Sequence, residues 1–407
     1  MNRILKSNIT TIYLMGFCHS FMVVIPVFVP LLQGYGLTMS EVLQTQALFA
    51  MTIALLEVPS GYIADLWGRK QALIIGSLAN AGGFLWLLGA DSFFDFMLYE
   101  FILGVGISLI SGADLALLYD SETELQALGD REAGPGRSLS RLISIEAGAS
   151  GVAGIVASLL LVWADMAILL AVQAVVGLLP FCLAWRLQEA RRPPSENGHA
   201  DNARHIMELL LFGRPVVLWT VIAIVCFGLL GLYSFWVYQK YWELNGVPVV
   251  WFGYIWAAFA LTVSVAARYA GVIEQRLGWR NLLLVTAILP LFGLLGMALS
   301  GGWYGVLFGF AIQASRGLSL TLFYEALNSR VPGEFRATVN SLVSLLVRSV
   351  FIVSGPLLGF LLDSWGMRST LLLLVCVFAP LFLLLVVNLG RRIHREKSSP
   401  AAEPVVV

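Results

Sequence analysis

Seven ionisable side chains sit inside long apolar runs of this sequence: Glu57, Glu100, Asp114, Glu146, Arg268, Arg316 and Arg348. Their chemistry is that of charge in a medium of low dielectric. One such group at the centre of a bilayer costs roughly 2.5–3.5 kcal/mol, so seven facing lipid would cost on the order of 20 kcal/mol. They are therefore expected to face the protein interior or a wet cavity. The signs are segregated, with the four acids in the first half of the chain and the three arginines in the second. A guanidinium is permanently charged and donates through a fork that fits a carboxylate. A carboxyl group stripped of water holds its proton and releases it when a cation arrives. Arg316 and Arg348 are accordingly expected to bind an anionic group of a small molecule, and Glu57, Asp114 and Glu146 to carry protons. The competing reading of these charges is interhelical ion pairing. Glu100, near the far end of its run, reads as solvated at the surface, and Arg268 as part of a gate.

Weaker candidates surround them. His19, beside Ser20 and Met22, titrates near neutral pH and suits substrate contact or proton relay; a satisfied interior histidine is the competing reading. Tyr233 and Trp236 are three apart, on one helix face, where they can line a cavity and stack on a substrate. Tyr238, Tyr241 and Trp242 read as interfacial anchors. Gln313 and Asn340 are polar lining candidates, and the stripe Gly148, Gly151, Gly154 reads as close helix packing.

The elements that position these groups follow from composition. The chain of 407 residues is 58% hydrophobic and 12% charged, against about 25% charged in soluble domains. Its mean hydropathy is +0.83. Lipid is thus its main surroundings, and the equal numbers of basic and acidic residues, 25 each, argue against a nucleic-acid surface. Cys18, Cys182, Cys226 and Cys376 lie in apolar runs without metal-ligand spacing and read as small buried hydrophobes. No metal or enzymatic constellation is evident. A helix needs roughly 20 apolar residues to cross a bilayer, which gives twelve spans near 11–33, 42–64, 71–90, 96–119, 139–163, 166–186, 215–238, 250–272, 281–300, 303–325, 338–362 and 369–389. The first reads as a retained helix rather than a leader. The expected organisation is an N-terminal six-helix bundle (1–190), a polar linker (191–214), a C-terminal six-helix bundle (215–397) and a disordered tail (398–407). Of the 25 basic residues, only Lys240 and Arg368 fall on the outer side when both termini are placed inside, and Arg268, Arg316 and Arg348 lie within spans. The positive-inside rule then sets the orientation. Counted at 1.5 Å per residue, Glu57, Asp114, Glu146, Arg316 and Arg348 lie roughly 9–18 Å from landmarks at the basic ends of their helices.

An internal repeat relates the halves. Gly61-Tyr62-Ile63-Ala64-Asp65-Leu66-Trp67-Gly68-Arg69-Lys70 aligns with Gly271-Val272-Ile273-Glu274-Gln275-Arg276-Leu277-Gly278-Trp279-Arg280 at an offset of 210. Leu117-Leu118-Tyr119-Asp120 matches Leu322-Phe323-Tyr324-Glu325, and Arg137 and Arg336 open the spans that follow. A tight turn between two membrane helices calls for glycine, because backbones approach closely and φ turns positive.

The decapeptide Gly61 to Lys70 resembles the signature loop between helices 2 and 3 of the major facilitator superfamily of secondary transporters, and the resemblance extends over essentially the whole chain. It implies an all-α integral membrane protein of twelve transmembrane helices in two pseudo-symmetric six-helix bundles. It also implies that the loop arginine, Arg69, pairs with an acid at the end of helix 4, where Asp120 stands. Gly61, Asp65, Gly68, Arg69, Lys70 and Asp120, with Arg280 paired to Glu325 in the second half and Arg268 nearby, form the expected gate. Two features depart from the drug-proton antiporters of the family. Helix 5 has glycines but no Gly-Pro, the Gly355-Pro356 pair standing in helix 11 instead, and Glu100 replaces the arginine often found four residues before the glycines of helix 4. The resemblance implies a proton-coupled exporter of a small polar, amphiphilic or zwitterionic compound (a drug, metabolite or siderophore). It would work as a monomer in the bacterial inner membrane, both termini cytoplasmic, with no cofactor beyond the proton gradient. The alternatives are an importer of an organic anion and a non-transporting receptor or partner protein on the same scaffold.

Overall fold

The structure, a computed structural model, describes residues 2–130, 135–189, 215–332 and 335–398. The linker expected at 191–214 lies outside the described residues, as does the expected tail beyond Ser398. Among the described residues every regular element is helical, as a backbone in lipid requires: with no water to pair with, N–H and C=O groups must satisfy one another within the segment.

The helices are α1 (Asn2–Ser20), α2 (Phe28–Gly34), α3 (Met39–Trp67), α4 (Arg69–Leu87), α5 (Phe93–Ile110), α6 (Ala113–Ala127), α7 (Pro135–Trp163), α8 (Met166–Ala184), α9 (Pro215–Leu244), α10 (Phe252–Leu277), α11 (Trp279–Leu299), α12 (Tyr304–Asn328) and α13 (Arg336–Ser398). Among the described residues ten stretches are long and apolar enough to cross a membrane. α1 with α2 makes one crossing, and α5 with α6 another. The last stretch, Thr338–Ile393, holds two crossings on either side of Gly366, whose φ of 76° breaks α13. α4 (Arg69–Leu87), not among those ten stretches, completes twelve.

Starts and stops are local. Thr38 and Glu41 form a capping box at α3, Ser92 and Asp95 another at α5, and Asp165 accepts from the Ile168 N–H at the head of α8. The first expected span, 11–33, is not continuous: the chain leaves α1 after Ser20 and re-enters through a 3₁₀ turn at Ile25–Val27 that contains Pro26. The fourth, 96–119, breaks at Ser111-Gly112, with Gly112 at φ 93°.

The turn between α3 and α4 is a single residue. Gly68 has φ 107° and ψ 144°, a region essentially closed to side chains. Gly278 repeats it at φ 78° between α10 and α11. Gly61, expected to belong to the turn, instead lies inside α3, exposed, with nothing near enough to meet an added Cβ.

Contacts divide the chain into two compact units. The first comprises Met1–Pro194, Gln239–Ala260 and Phe351–Ser364. Its basic end has a core of Leu5, Ile12, Leu73, Leu117 and Leu187. Elsewhere in this unit Gly154 meets Gly253 so closely that neither backbone leaves room for a Cβ, and the Tyr254 N–H donates to Ser158 Oγ at 3.0 Å. Gly148 and Gly151, grouped with Gly154 in the sequence, face open space and are not packing contacts. The second unit comprises Ser195–Tyr238, Leu261–Val350 and Trp365–Val407. Phe227 stacks on Phe382 at 4.4 Å and meets Phe323 at 5.1 Å in its core. Tyr238, and in the first unit Tyr241 and Trp242, are fully buried and so are not interfacial anchors; Trp242 packs edge-on against Phe252 and Phe259 of the same unit. Cys182 and Cys376 are exposed and Cys226 buried, so burial is not common to the cysteines.

Gly68→Ala is expected to destabilise by about 1–3 kcal/mol, because a Cβ is strained at that φ and ψ. Gly61→Ala, in a helix with open space, should be neutral or stabilising by about 0.5–1 kcal/mol. Thermal unfolding of the two purified variants in detergent checks the contrast; equal losses would refute the assignment of the turn to Gly68 alone.

Candidate functional site

In the first unit a cavity of about 340 Å³ gathers His19, Asn80, Ser111, Asp114 and Glu146. The break at Ser111-Gly112 positions Asp114: it sits in the first turn of α6, half-buried, its Oδ1 accepting from the Leu115 N–H at 2.6 Å. A helix start exposes unpaired N–H groups, a favourable place for an acid. Glu146 reaches the same cavity from α7, and its carboxylate lies over α1, where a Cβ on Gly16 would come within 3.3 Å of Oε1. His19 lies in the last turn of α1, next to the helix interruption, and its Nε2 is buried without a hydrogen-bond partner among the described residues. The cavity thus joins two carboxyl groups and an imidazole from three helices, α1, α6 and α7. Asn80, Ser111 and Gly16 escape sequence reasoning; the Ser-Gly pair within an apolar run was the available signal for the break. Glu57, on α3, is half-buried and outside the lining.

In the second unit a cavity of about 180 Å³ is lined by Arg316, Ser319, Tyr324 and Ser344 with Phe227, Phe235 and Phe323. Arg316 lies over Gly231 of α9, whose built Cβ would stand 3.7 Å from its Nε, and near the buried Tyr238 ring. Its side chain is exposed, because it borders the cavity. Its guanidinium has no ion-pair partner among the described residues. Arg348 is half-buried and outside this lining, as are Tyr233, Trp236 and Gln313. Tyr233 is buried against Phe378, and Trp236 is buried edge-on to Phe235. Gln313 is buried in α12, and Asn340 donates to Asn328 Oδ1 at 3.2 Å. Arg268 is exposed.

Glu100 is not solvated. It is 4% exposed, and Gln46 Nε2 donates to its Oε1 at 2.5 Å. A carboxyl group near the end of a run is still covered if its helix face points inward, which sequence depth alone does not reveal.

The loop after α3 ties four helices. Arg69 pairs with the Asp120 carboxylate and donates to the Ala116 carbonyl at 2.6 Å. The Lys70 N–H donates to Glu189 Oε1 at 2.8 Å, and Lys70 Nζ to the Trp185 carbonyl at 3.1 Å. The Asp65 side chain lies outside the described residues. In the second half the expected pair is absent: Arg280 and Glu325 are both exposed and form no ion pair. Trp279 stands where Arg69 stands in the first copy, so the residue that would reach the acid is missing. At the opposite end of the first unit, Asp363 accepts from the Met39 and Ser40 N–H groups at 3.1 and 2.8 Å, capping α3.

Residues 10–355 match the family model described as Major Facilitator Superfamily. No curated protein matches the sequence. Among solved structures, a single-site variant of the nucleoside transporter NupG superposes with a TM-score of 0.75 at 12% identity, covering 95% of this chain and 99% of that one. A D-xylose-proton symporter gives 0.72 at 15%, with 95% and 97% covered. A bacterial homologue of the human lysosomal transporter Spinster, inward-facing and unoccupied, gives 0.69 at 15%, with 98% of each chain covered.

The Arg69–Asp120 side chains are 16% and 7% exposed, so removing one partner strands a charge away from water. Arg69→Gln alone is expected to cost about 3–5 kcal/mol. The double variant Arg69→Gln/Asp120→Asn should recover most of that loss. A double-mutant cycle on thermal stability measures the coupling, and additive losses would show that the pair is not energetically joined.

Proposed function

The chain belongs to the major facilitator superfamily and is a membrane transporter rather than an enzyme; on that footing we propose that it is a proton-coupled exporter of a small zwitterionic or amphiphilic compound, working by alternating access in a bacterial inner membrane with both termini cytoplasmic. One observation carries the reading: Arg316, on a helix long and apolar enough to cross a membrane, presents a guanidinium without an acidic partner among the described residues to a cavity, whereas the cavity of the other unit is lined by Asp114 and Glu146. A charge kept inside lipid without a counter-charge costs stability and is retained for a ligand.

Each group then has a task. Arg316 takes an anionic group of the substrate in a bidentate contact, with Ser319 and Ser344 as neutral hydrogen-bonding neighbours and Phe227, Phe235 and Phe323 as an apolar bed. Asp114 and Glu146 carry protons. A proton and a basic group of the substrate compete for the same carboxylate oxygens, so taking up one discharges the other. Competition for one site across two conformations is exchange, and exchange against an inward proton gradient is export.

Arg316 also favours a second reading, import of an organic anion together with a proton. Proteoliposomes loaded with a pH-sensitive dye and challenged with zwitterions, anions and cations separate the two. Export predicts that substrate moves opposite to protons, and import predicts movement in the same direction. Asp114→Asn is expected to lower substrate-driven proton movement at least tenfold while leaving thermal stability near wild type. Arg316→Gln should raise the apparent KM at least tenfold for carboxylate-bearing compounds and leave purely cationic ones unchanged. Wild-type proton movement in Asp114→Asn would remove the coupling role, and an unchanged KM in Arg316→Gln would remove Arg316 from the site.

A further inference from the structure

A third cleft lies apart from both cavities, in the second unit, where α10 turns into α11 beside the end of α13. It has a volume of about 480 Å³ and is lined by Leu277, Trp279, Arg280, Val386, Val387 and Arg391, with Ile393 in its floor. Arg280 and Arg391 are both exposed, and neither has an ion-pair or hydrogen-bond partner among the described residues. The first turn of α11 forms part of the wall. Its N-cap, Gly278, has no side chain to pair with the free N–H groups, and the turn holds no acid.

The internal repeat indicates what such a place takes. Lys70, the second residue of α4, corresponds to Arg280, the second residue of α11. In the first half the Lys70 N–H is bound at 2.8 Å by the carboxylate of Glu189, which follows the end of α8. The first half therefore supplies its own anion at this point. In the second half the end of α13 brings Arg391 instead of an acid, and the N–H of Arg280 is bound by no side chain among the described residues. A reversal from one carboxylate to two guanidiniums turns a self-satisfied helix start into a receptor for an external anion.

The walls select among anions. Leu277 is 44% and Val387 36% exposed, so apolar surface flanks the guanidiniums. Both helices that meet here begin or end a membrane-crossing stretch at this level, Trp279–Leu299 and Thr338–Ile393. A tryptophan and arginines at the limit of the hydrocarbon, beside exposed aliphatic side chains, match a phosphate with acyl chains attached better than a free ion.

We propose that this cleft binds an anionic phospholipid, its phosphate held by Arg280, Arg391 and the first N–H groups of α11, and its chains lying along Val386 and Val387. The full-length protein in a non-ionic detergent is titrated with phosphatidylglycerol, phosphatidylcholine or inorganic phosphate, and bound molecules are counted by native mass spectrometry. Phosphatidylglycerol is expected to bind the wild type at least tenfold more tightly than phosphatidylcholine, with inorganic phosphate failing to displace it. Arg280→Gln/Arg391→Gln should weaken phosphatidylglycerol at least tenfold. Arg391→Glu, which places a carboxylate as the first half does, should weaken it as much without lowering the melting temperature, while Arg268→Gln should leave it unchanged. Wild-type affinity in the double variant and in Arg391→Glu, equal binding of phosphatidylcholine, or displacement by inorganic phosphate would each overturn the proposal.

Discussion

A backbone polar group released from a helix inside lipid has no water to turn to, and this constraint governs where the chain is allowed to bend. Helix 1 shows the rule at its strictest. In an unbroken helix the Val29 N–H would donate to the Ile25 carbonyl, four residues back. The interruption at Pro26 separates them, and the side chain of Gln239, wholly buried, takes the place of the missing bond: Val29 N–H donates to its Oε1 at 2.9 Å, and its Nε2 donates to the Ile25 carbonyl at 3.0 Å. The amide satisfies the freed Val29 N–H and adds a second bond to the Ile25 carbonyl, which already accepts from the Phe28 N–H. Leaving the Val29 N–H unpaired would cost about 1–3 kcal/mol. Asn8 performs the same service at the other end of the first unit, donating to the Gln188 carbonyl at 2.8 Å and accepting from the Gln188 N–H at 3.0 Å.

The breaks that need such repair are also where the chemistry lies. His19 is one residue from the end of α1, and Asp114 opens α6 directly after Gly112. A continuous helix offers a ligand only side chains, whereas a broken one adds oriented backbone groups and a dipole end. That is why the first cavity forms at two interrupted crossings. Arg316, by contrast, projects from an unbroken α12, and the space it borders comes from the small Gly231 opposite. The two units thus make their cavities differently, one by interrupting helices and the other by removing a side chain.

This distinction explains what is readable from the sequence. Spans, their number and the repeat depend on composition and on residues adjacent in the chain, and they are legible. So is the contact of Arg69 with Asp120, because the loop motif fixes one partner and the end of the fourth crossing the other. The helix breaks at 21–24 and 111–112 are less so, since an apolar run containing Pro26 or Ser111-Gly112 satisfies the same hydropathy as a continuous one. Which way a helix faces is not legible at all where both faces are apolar. Glu100 is covered, Arg268 exposed, and Tyr238, Tyr241 and Trp242 lie in the core, although nothing in their local spacing separates them from surface residues.

The repeat shows how a duplicated framework acquires separate roles without changing its fold. Gly68 and Gly278 keep the same turn, because any side chain there would strain the backbone; the geometry is retained whatever else changes. Around that fixed point the charges have been redistributed. In the first copy Arg69 finds Asp120, and Glu189 closes the start of α4, so both are answered from within the chain. In the second copy Trp279 replaces the pairing arginine, Glu325 stands exposed, and arginines gather at the helix start. Since burial of an unpaired charge is costly while exposure is nearly free, the second copy keeps these groups at a surface, open to whatever lies outside the chain. The first copy is therefore suited to holding itself together, and the second to responding to its surroundings.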